Sequence, residues 1–257
     1  MSTFQVDYSR MYDALYAKKD YPREATAVHE LLQKFCSTAP QRLLSIGAGT
    51  LGHEQLLLPH GYNITCIDSS SEMVRIAQQK ISQQELKNIT IAEGDMEDLQ
   101  FVGAEFDAAV SLFNVISYCS NDEALEKVFS GVASALKPNG IFIFDCWNGE
   151  SVRKDPPHDK FAKFIDGDSK LYRYTRATPE IEKGVVTIQF DVLHTQGSAI
   201  ISETQETHAV HFWDAAQLKI LLVHHGFEIV HVSNFPDIGN MNIDNSWTMC
   251  VVARKLS

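Results

Sequence analysis

The 257-residue chain has no apolar run approaching the length of a membrane-crossing helix, no internal repeat and no low-complexity tract. Positive charge is in short supply: 22 Lys and Arg face 33 Asp and Glu, a formal balance of −11. Nucleic-acid backbones call for a concentrated basic surface. The densest basic group, Lys18-Lys19 with Arg23, is small and broken by acids, so no nucleic-acid partner is expected. Cysteine is sparse, with five residues and no CxxC spacing, which argues against a disulfide framework and against a metal site. Cys66, Cys146 and Cys250 sit in apolar strand-like runs, where a thiol behaves as a small hydrophobe. The opening MSTFQVDYSR is too polar for a signal peptide. These absences together predict a soluble, cytoplasmic protein that engages no membrane.

The composition is 44% hydrophobic and 21% charged, that of a globular chain able to bury a full core without staples. Helical spacing runs from Tyr8 to Ser37, broken at Tyr21-Pro22, and Pro22 suits the first turn of a second helix. Short apolar runs then alternate with helices. RLLSI (42–46), NITCID (63–68), NITIAEGD (88–95), FDAAVSLF (106–113) and IFIFDC (141–146) read as strands. GHEQLLLPHG reads as the helix after the first strand, and Ser69 with Glu72 as a capping box for the helix from Ser70. Asn121-Asp122 opens a helix to Leu136, and a Lys137-Pro138-Asn139-Gly140 turn precedes the fifth strand. Such alternation predicts a parallel sheet covered on both faces.

After Trp147 comes a polar stretch with Pro156-Pro157, then three period-two segments: KLYRYTRA, GVVTIQFDVLHT and AIISETQETHAVHF. They predict an antiparallel meander inserted into the α/β domain. A last helix ending at Gly226 and two strands, FEIVHVSN and TMCVVARK, finish the chain. The division expected is 1–40, N-terminal helices closing a site; 41–150, a Rossmann-like core; 151–212, the meander, as acceptor lid or dimerisation element; and 213–257, the end of the core sheet. A meander with an exposed edge could also make a homodimer.

GAGTLG (47–52) follows the first strand directly. Gly47 permits a tight turn, Gly49 lets a ligand approach the backbone, and Gly52 allows close helix packing. Asp68 ends the next strand, where a carboxylate can accept both hydroxyls of a ribose. An adenosine-containing cofactor follows from this placement. Gly94-Asp95-Met96 after the third strand offers a carboxylate to an adenine amino group and an apolar side chain to its face, which favours S-adenosylmethionine (SAM) over a dinucleotide.

LLSIGAGTLGH, CIDSSSEMVRIA, EGDMEDL, FDAAVSLFNVISY and LKPNGIFIFDCW, in this order, resemble the motif series of class I SAM-dependent methyltransferases. The resemblance implies a seven-stranded, mostly parallel sheet with helices on both faces, its last strand antiparallel to its neighbours. YDALYAKKDYPREA (12–25) resembles the start of the small nucleotide-sugar N-methyltransferases that act on dTDP-linked amino sugars. FDCW (144–147) and ETQETH (203–208) are similar to both that group and a relative found in polysaccharide gene clusters.

From the resemblance, Tyr21, Gly47, Ala48, Gly49, Asp68, Ser69, Met73, Asp95, Met96 and Leu112 would bind SAM. Tyr16 would orient the acceptor near the transferring methyl, with Tyr118 and His208 as further catalytic candidates. His208 is the foremost base if a hydroxyl is methylated. Glu24, Asn114 and Trp147 would contact the acceptor, a small molecule and foremost a nucleotide sugar. Two departures stand out. Ser45 occupies the position where most of the superfamily has an acid. Asn245-Ser246-Trp247 lies where the amino-sugar enzymes place an arginine, so this chain grips its substrate differently or grips a different one. Other small metabolites, a NAD-dependent oxidoreductase and a non-catalytic SAM sensor are the rival readings.

Both faces of ISETQETHAVHF carry polar groups, which predicts either an edge strand or a face looking into a polar pocket.

Overall fold

The computed structural model describes residues 4–103 and 105–256. Its core sheet is ordered β3 (Ile89–Glu93), β2 (Asn63–Asp68), β1 (Arg42–Ile46), β4 (Phe106–Ser111), β5 (Leu136–Asn148), β11 (Thr248–Lys255) and β10 (Phe227–Asn234). The first five are parallel neighbours, and β11 runs antiparallel to both β5 and β10. This is the seven-stranded arrangement the motifs imply.

Successive side chains of a strand point to opposite faces, so a strand with a helix on each side must be apolar throughout. Leu43, Ile141 and Ile143 pack on one face with Val28, Leu31 and Leu32 of α2 (Tyr21–Phe35) and Ala77 of α4 (Ser71–Gln83). Leu44, Phe142 and Phe144 pack on the other with Val128 and Phe129 of α5 (Asp122–Ala135) and Leu222 of α7 (Ala215–His224).

Several local expectations are adjusted. Only Glu54–Leu57 (α3) is α-helical after the glycine loop; a 3-10 turn, Leu58–His60, follows, since Pro59 brings no N–H to continue the ladder. The cap of α4 is Ser70, whose Oγ accepts from Met73 N, while Glu72 pairs with Arg75 and Arg10 instead of closing a capping box. The residues 137–140 form a bulge within β5, between the pairs Phe106–Leu136 and Ala108–Ile141.

The meander has four strands, not three: β6 (Lys160–Asp166), β7 (Ser169–Glu180), β8 (Val185–Gln196) and β9 (Ala199–Trp213). It joins the core through β9, whose Phe212 and Trp213 lie beside Trp147 and Asn148 of β5. Helix α1 (Val6–Leu15) lies on the inner face of the meander, where Tyr8, Met11 and Leu15 meet Leu171 and Val192. Along β9 the buried face is Thr204, Glu206, His208, Val210 and Phe212. Buried carboxylates need partners, and Glu206 has them: its oxygens accept from the backbone N–H groups of Phe4 (3.2 Å) and Gln5 (2.6 Å) at the start of α1. One strand therefore caps a helix about 200 residues distant in sequence.

Candidate active site

The carboxyl ends of the core strands, the inner face of the meander and α1 enclose a cavity of about 870 Å³. Open α/β sheets bind ligands at this edge. Of the residues singled out in the sequence, Tyr16, Tyr21, Gly47, Ala48, Gly49, Asp68, Ser69, Met73, Asp95, Met96, Leu112, Asn114, Tyr118, Trp147 and His208 all line it. Glu24 does not. It is buried behind the wall, one oxygen bound to Lys19 and the other 2.6 Å from His53 Nε2, so its carboxylate is already engaged.

The glycine loop is shaped for close approach. Gly47 and Gly49 have φ of +69° and +54°, and a side chain at Gly49 would meet nothing within 4 Å, leaving that backbone open to a ligand. Gly52 makes room for a side chain: a Cβ there would stand 2.5 Å from the Tyr21 ring. Asp13 of α1 clamps the loop, accepting from Thr50 Oγ1 and pairing with Lys80. Asp68 accepts from Gly49 N at 2.7 Å and Ser70 N at 2.9 Å; burial raises its pKa while those two N–H groups oppose the rise.

Phe113 and Asn114, after β4, both adopt left-handed backbone conformations with φ of 68° and 61°. That strain is held by Asp145, whose carboxylate accepts from Asn114 N at 3.0 Å. Complete burial pushes the Asp145 carboxyl up to about 6.

An aromatic wall faces the strand ends. The Tyr16 and Tyr8 hydroxyls are 3.2 Å apart, and the Tyr16 ring packs on Tyr12 and Phe113. Tyr118 Oη and His208 Nδ1 share a 2.7 Å hydrogen bond; His208 Nε2 lies 3.6 Å from Glu206. Burial holds the Tyr118 hydroxyl far above its ordinary range, so at neutral pH it keeps its proton. Trp147 and Trp247 close the opposite rim with ring centroids 5.8 Å apart.

Sequence reasoning overlooked Phe4, Tyr12, Glu54, Arg173 and Trp247, which also line the cavity. Glu54 answers the missing acid. Ser45 Oγ donates to Glu54 Oε1 at 2.7 Å, and Oε2, buried, has no hydrogen-bond partner. Arg173 carried a readable signal: in KLYRYTRA it shares its alternating face with Leu171 and Ala177, an unusual place for a charge.

A methyltransferase-domain family profile matches residues 43–140, the span from β1 into the bulge of β5. The chain is a SAM-dependent methyltransferase. Its fold matches that of a SAM-dependent methyltransferase from Clostridium acetobutylicum, with a TM-score of 0.82, 19% identity and 98% of both chains covered. In sequence the enzyme is 27% identical to the dTDP-3-amino-3,4,6-trideoxy-alpha-D-glucopyranose N,N-dimethyltransferase of Streptomyces venezuelae, across 56% of this chain and 59% of that one. It is 23% identical to the glycine/sarcosine N-methyltransferase of Aphanothece halophytica, across 59% and 56%. The alignments thus span less than two thirds of these curated relatives, whose named acceptors differ.

The cavity fits SAM chemically. The open backbone at Gly49, the buried carboxylate of Asp68 and the unpartnered Oε2 of Glu54 are suited to an adenosine bearing a cationic amino-acid tail. Elsewhere, Glu126, His224 and His225 bring ligating atoms within 4.8 Å of one another at the end of α7. None of the three belongs to the cavity lining.

Proposed function

We propose that the enzyme methylates an amino or hydroxyl group of a nucleotide-linked sugar. The observation that supports this reading is one cavity lined by two groups of residues, the first read as the cofactor side and the second as the acceptor side. Glycine-loop and strand-end residues line the first; Tyr16, Tyr118, His208 and the meander line the second. The amino-sugar relative named above supports the substrate class. The segment YDALYAKKDYPREA (12–25) of this chain supplies Tyr16 and Tyr21 to the wall.

In this reading Asp68, Asp95 and Glu54 hold the ribose, adenine and amino ends of SAM, with Met73, Met96 and Leu112 as apolar walls. SAM bound there supplies an electrophilic methyl group. In-line displacement requires the acceptor atom to be held close and dry, and the ring cluster of Phe4, Tyr12, Tyr16 and Phe113 excludes water on that side. The Tyr16 hydroxyl, whose one protein partner among the described residues is Tyr8, orients the acceptor. An amine can lose its proton before binding. A hydroxyl acceptor loses it to His208 by way of Tyr118, with Glu206 stabilising the imidazolium.

The test is incubation with SAM and a panel of dTDP-, UDP- and GDP-sugars, amino and neutral, read by mass spectrometry. A methylated amino sugar supports N-transfer, and a methylated neutral sugar supports O-transfer through Tyr118 and His208. A blank panel from folded, SAM-binding enzyme sinks the nucleotide-sugar reading.

A further inference from the structure

Arg173 stands on the inner face of β7, opposite Ala162 of β6 and Val192 of β8, and lines the cavity. Its guanidinium carbon lies 5.2 Å from the Tyr16 ring centre, 5.4 Å from Phe164 and 5.3 Å from Phe190. Nε and Nη1 are shut off from solvent and have no hydrogen-bond partner. The nearby acids are committed elsewhere: Glu206 to the N–H groups of Phe4 and Gln5, and Asp191 to Gln205 and Arg176. Among the described residues no carboxylate forms an ion pair with Arg173.

Aromatic faces attract a cation but cannot accept its N–H groups. A guanidinium withdrawn from water without an acceptor is costly, and its natural complement is a carboxylate or phosphate oxygen. The described residues offer neither, and the donors sit beside Tyr16, the residue proposed to orient the acceptor. We propose that Arg173 anchors an oxyanion carried by the acceptor, a carboxylate or a phosphate group. This deepens the reading of the cavity given above and rests on it. It also accounts for substrate grip in a chain without an arginine at Asn245-Ser246-Trp247.

The experiment is calorimetric titration of the whole enzyme saturated with S-adenosylhomocysteine, using UDP-glucuronate, UDP-glucose, UDP and free glucuronate as probes. Wild type is compared with Arg173→Gln and Arg173→Lys, with circular dichroism and S-adenosylhomocysteine affinity as controls of folding. At least one oxyanion probe should bind wild type, lose tenfold or more in Arg173→Gln, and regain part of the loss in Arg173→Lys, with S-adenosylhomocysteine binding unchanged. A preference for UDP-glucuronate over UDP-glucose that vanishes in Arg173→Gln identifies a carboxylate. Equal losses for UDP and UDP-glucose identify the phosphate. The anchor is overturned if no oxyanion probe binds, if the affinities are the same in Arg173→Gln, or if S-adenosylhomocysteine affinity falls in parallel. Arg173-dependent binding of free glucuronate without any nucleotide sugar would sink the nucleotide-sugar reading alone. Methylation of every nucleotide sugar the wild type accepts, uronate and neutral alike, by Arg173→Gln at the wild-type rate would sink the anchor alone.

Discussion

At the scale of single residues, the site shows what a linear motif conveys and what it hides. The positions of Asp68 and Asp95 in the cavity are legible because the first ends β2 and the second follows the end of β3 by two residues. Glu54 is not, because Ser45 occupies the usual acidic position and the carboxylate that replaces it arrives from the next turn, nine residues on. Only folding shows that one oxygen is held by Ser45 while the other is buried without a partner. If Oε2 receives the amino group of SAM, Glu54→Gln should weaken SAM binding about tenfold or more, the scale of a charged hydrogen bond. Binding of 5′-methylthioadenosine, which has no amino-acid tail, should stay the same. Equal losses for both ligands would make Glu54 a residue of loop structure instead. Tyr16→Phe removes a hydroxyl whose partner is Tyr8 and leaves the ring packing in place. Turnover should fall about tenfold at saturating SAM with cofactor affinity nearly constant. A fall in affinity without a fall in turnover would remove Tyr16 from the acceptor.

Elements were legible where their hydrophobic period was clean, as in the five parallel strands, and obscure where it was not. Strand β6 reads KFAKFID, with Phe161 and Ile165 exposed on the face opposite Ala162 and Phe164, so apolar residues fall on both sides and no alternation registers. The doubly polar pattern of β9 left two possibilities, and burial of Glu206 and His208 selects the face turned inward. That face does more than line a cavity. Gln5 gives α1 no side-chain cap, and Glu206 accepts the free N–H groups there in its place. Glu206→Ala should therefore loosen α1 selectively. Hydrogen exchange should show the opening free energy of residues 6–15 reduced by about 2 kcal/mol, with amides of β4 and β5 unaffected. Uniform loss of protection across the sheet would mean that Glu206 supports the whole fold and not the helix.

For the whole molecule, strand order followed from the rhythm of apolar runs, but the chemistry of the junction between core and meander did not, since its residues come from distant segments. The clearest global consequence is carried by Asp145, wholly buried beneath the Asn114 turn, with a carboxyl pushed up to about 6 by desolvation. Below about pH 4 this group is protonated in folded and unfolded chains alike. Between about 4 and about 6 the folded chain keeps a proton that the unfolded chain has released, so unfolding liberates a proton and rising pH favours it. Above about 6 both forms are ionised, and the loss, about 3 kcal/mol from the size of the shift, is complete. Other carboxylates act in the opposite sense: Glu24 and Asp107, held below their ordinary range by His53, Lys19 and Lys137, stabilise the fold as pH rises. The Asp145 contribution is therefore read as a difference. Asp145→Asn retains an acceptor for Asn114 N and cannot ionise. Urea unfolding of both proteins should show the variant gaining on wild type by about 3 kcal/mol between pH 4 and pH 7. A constant difference over that range would mean that the Asp145 carboxyl ionises at its ordinary pH despite its burial.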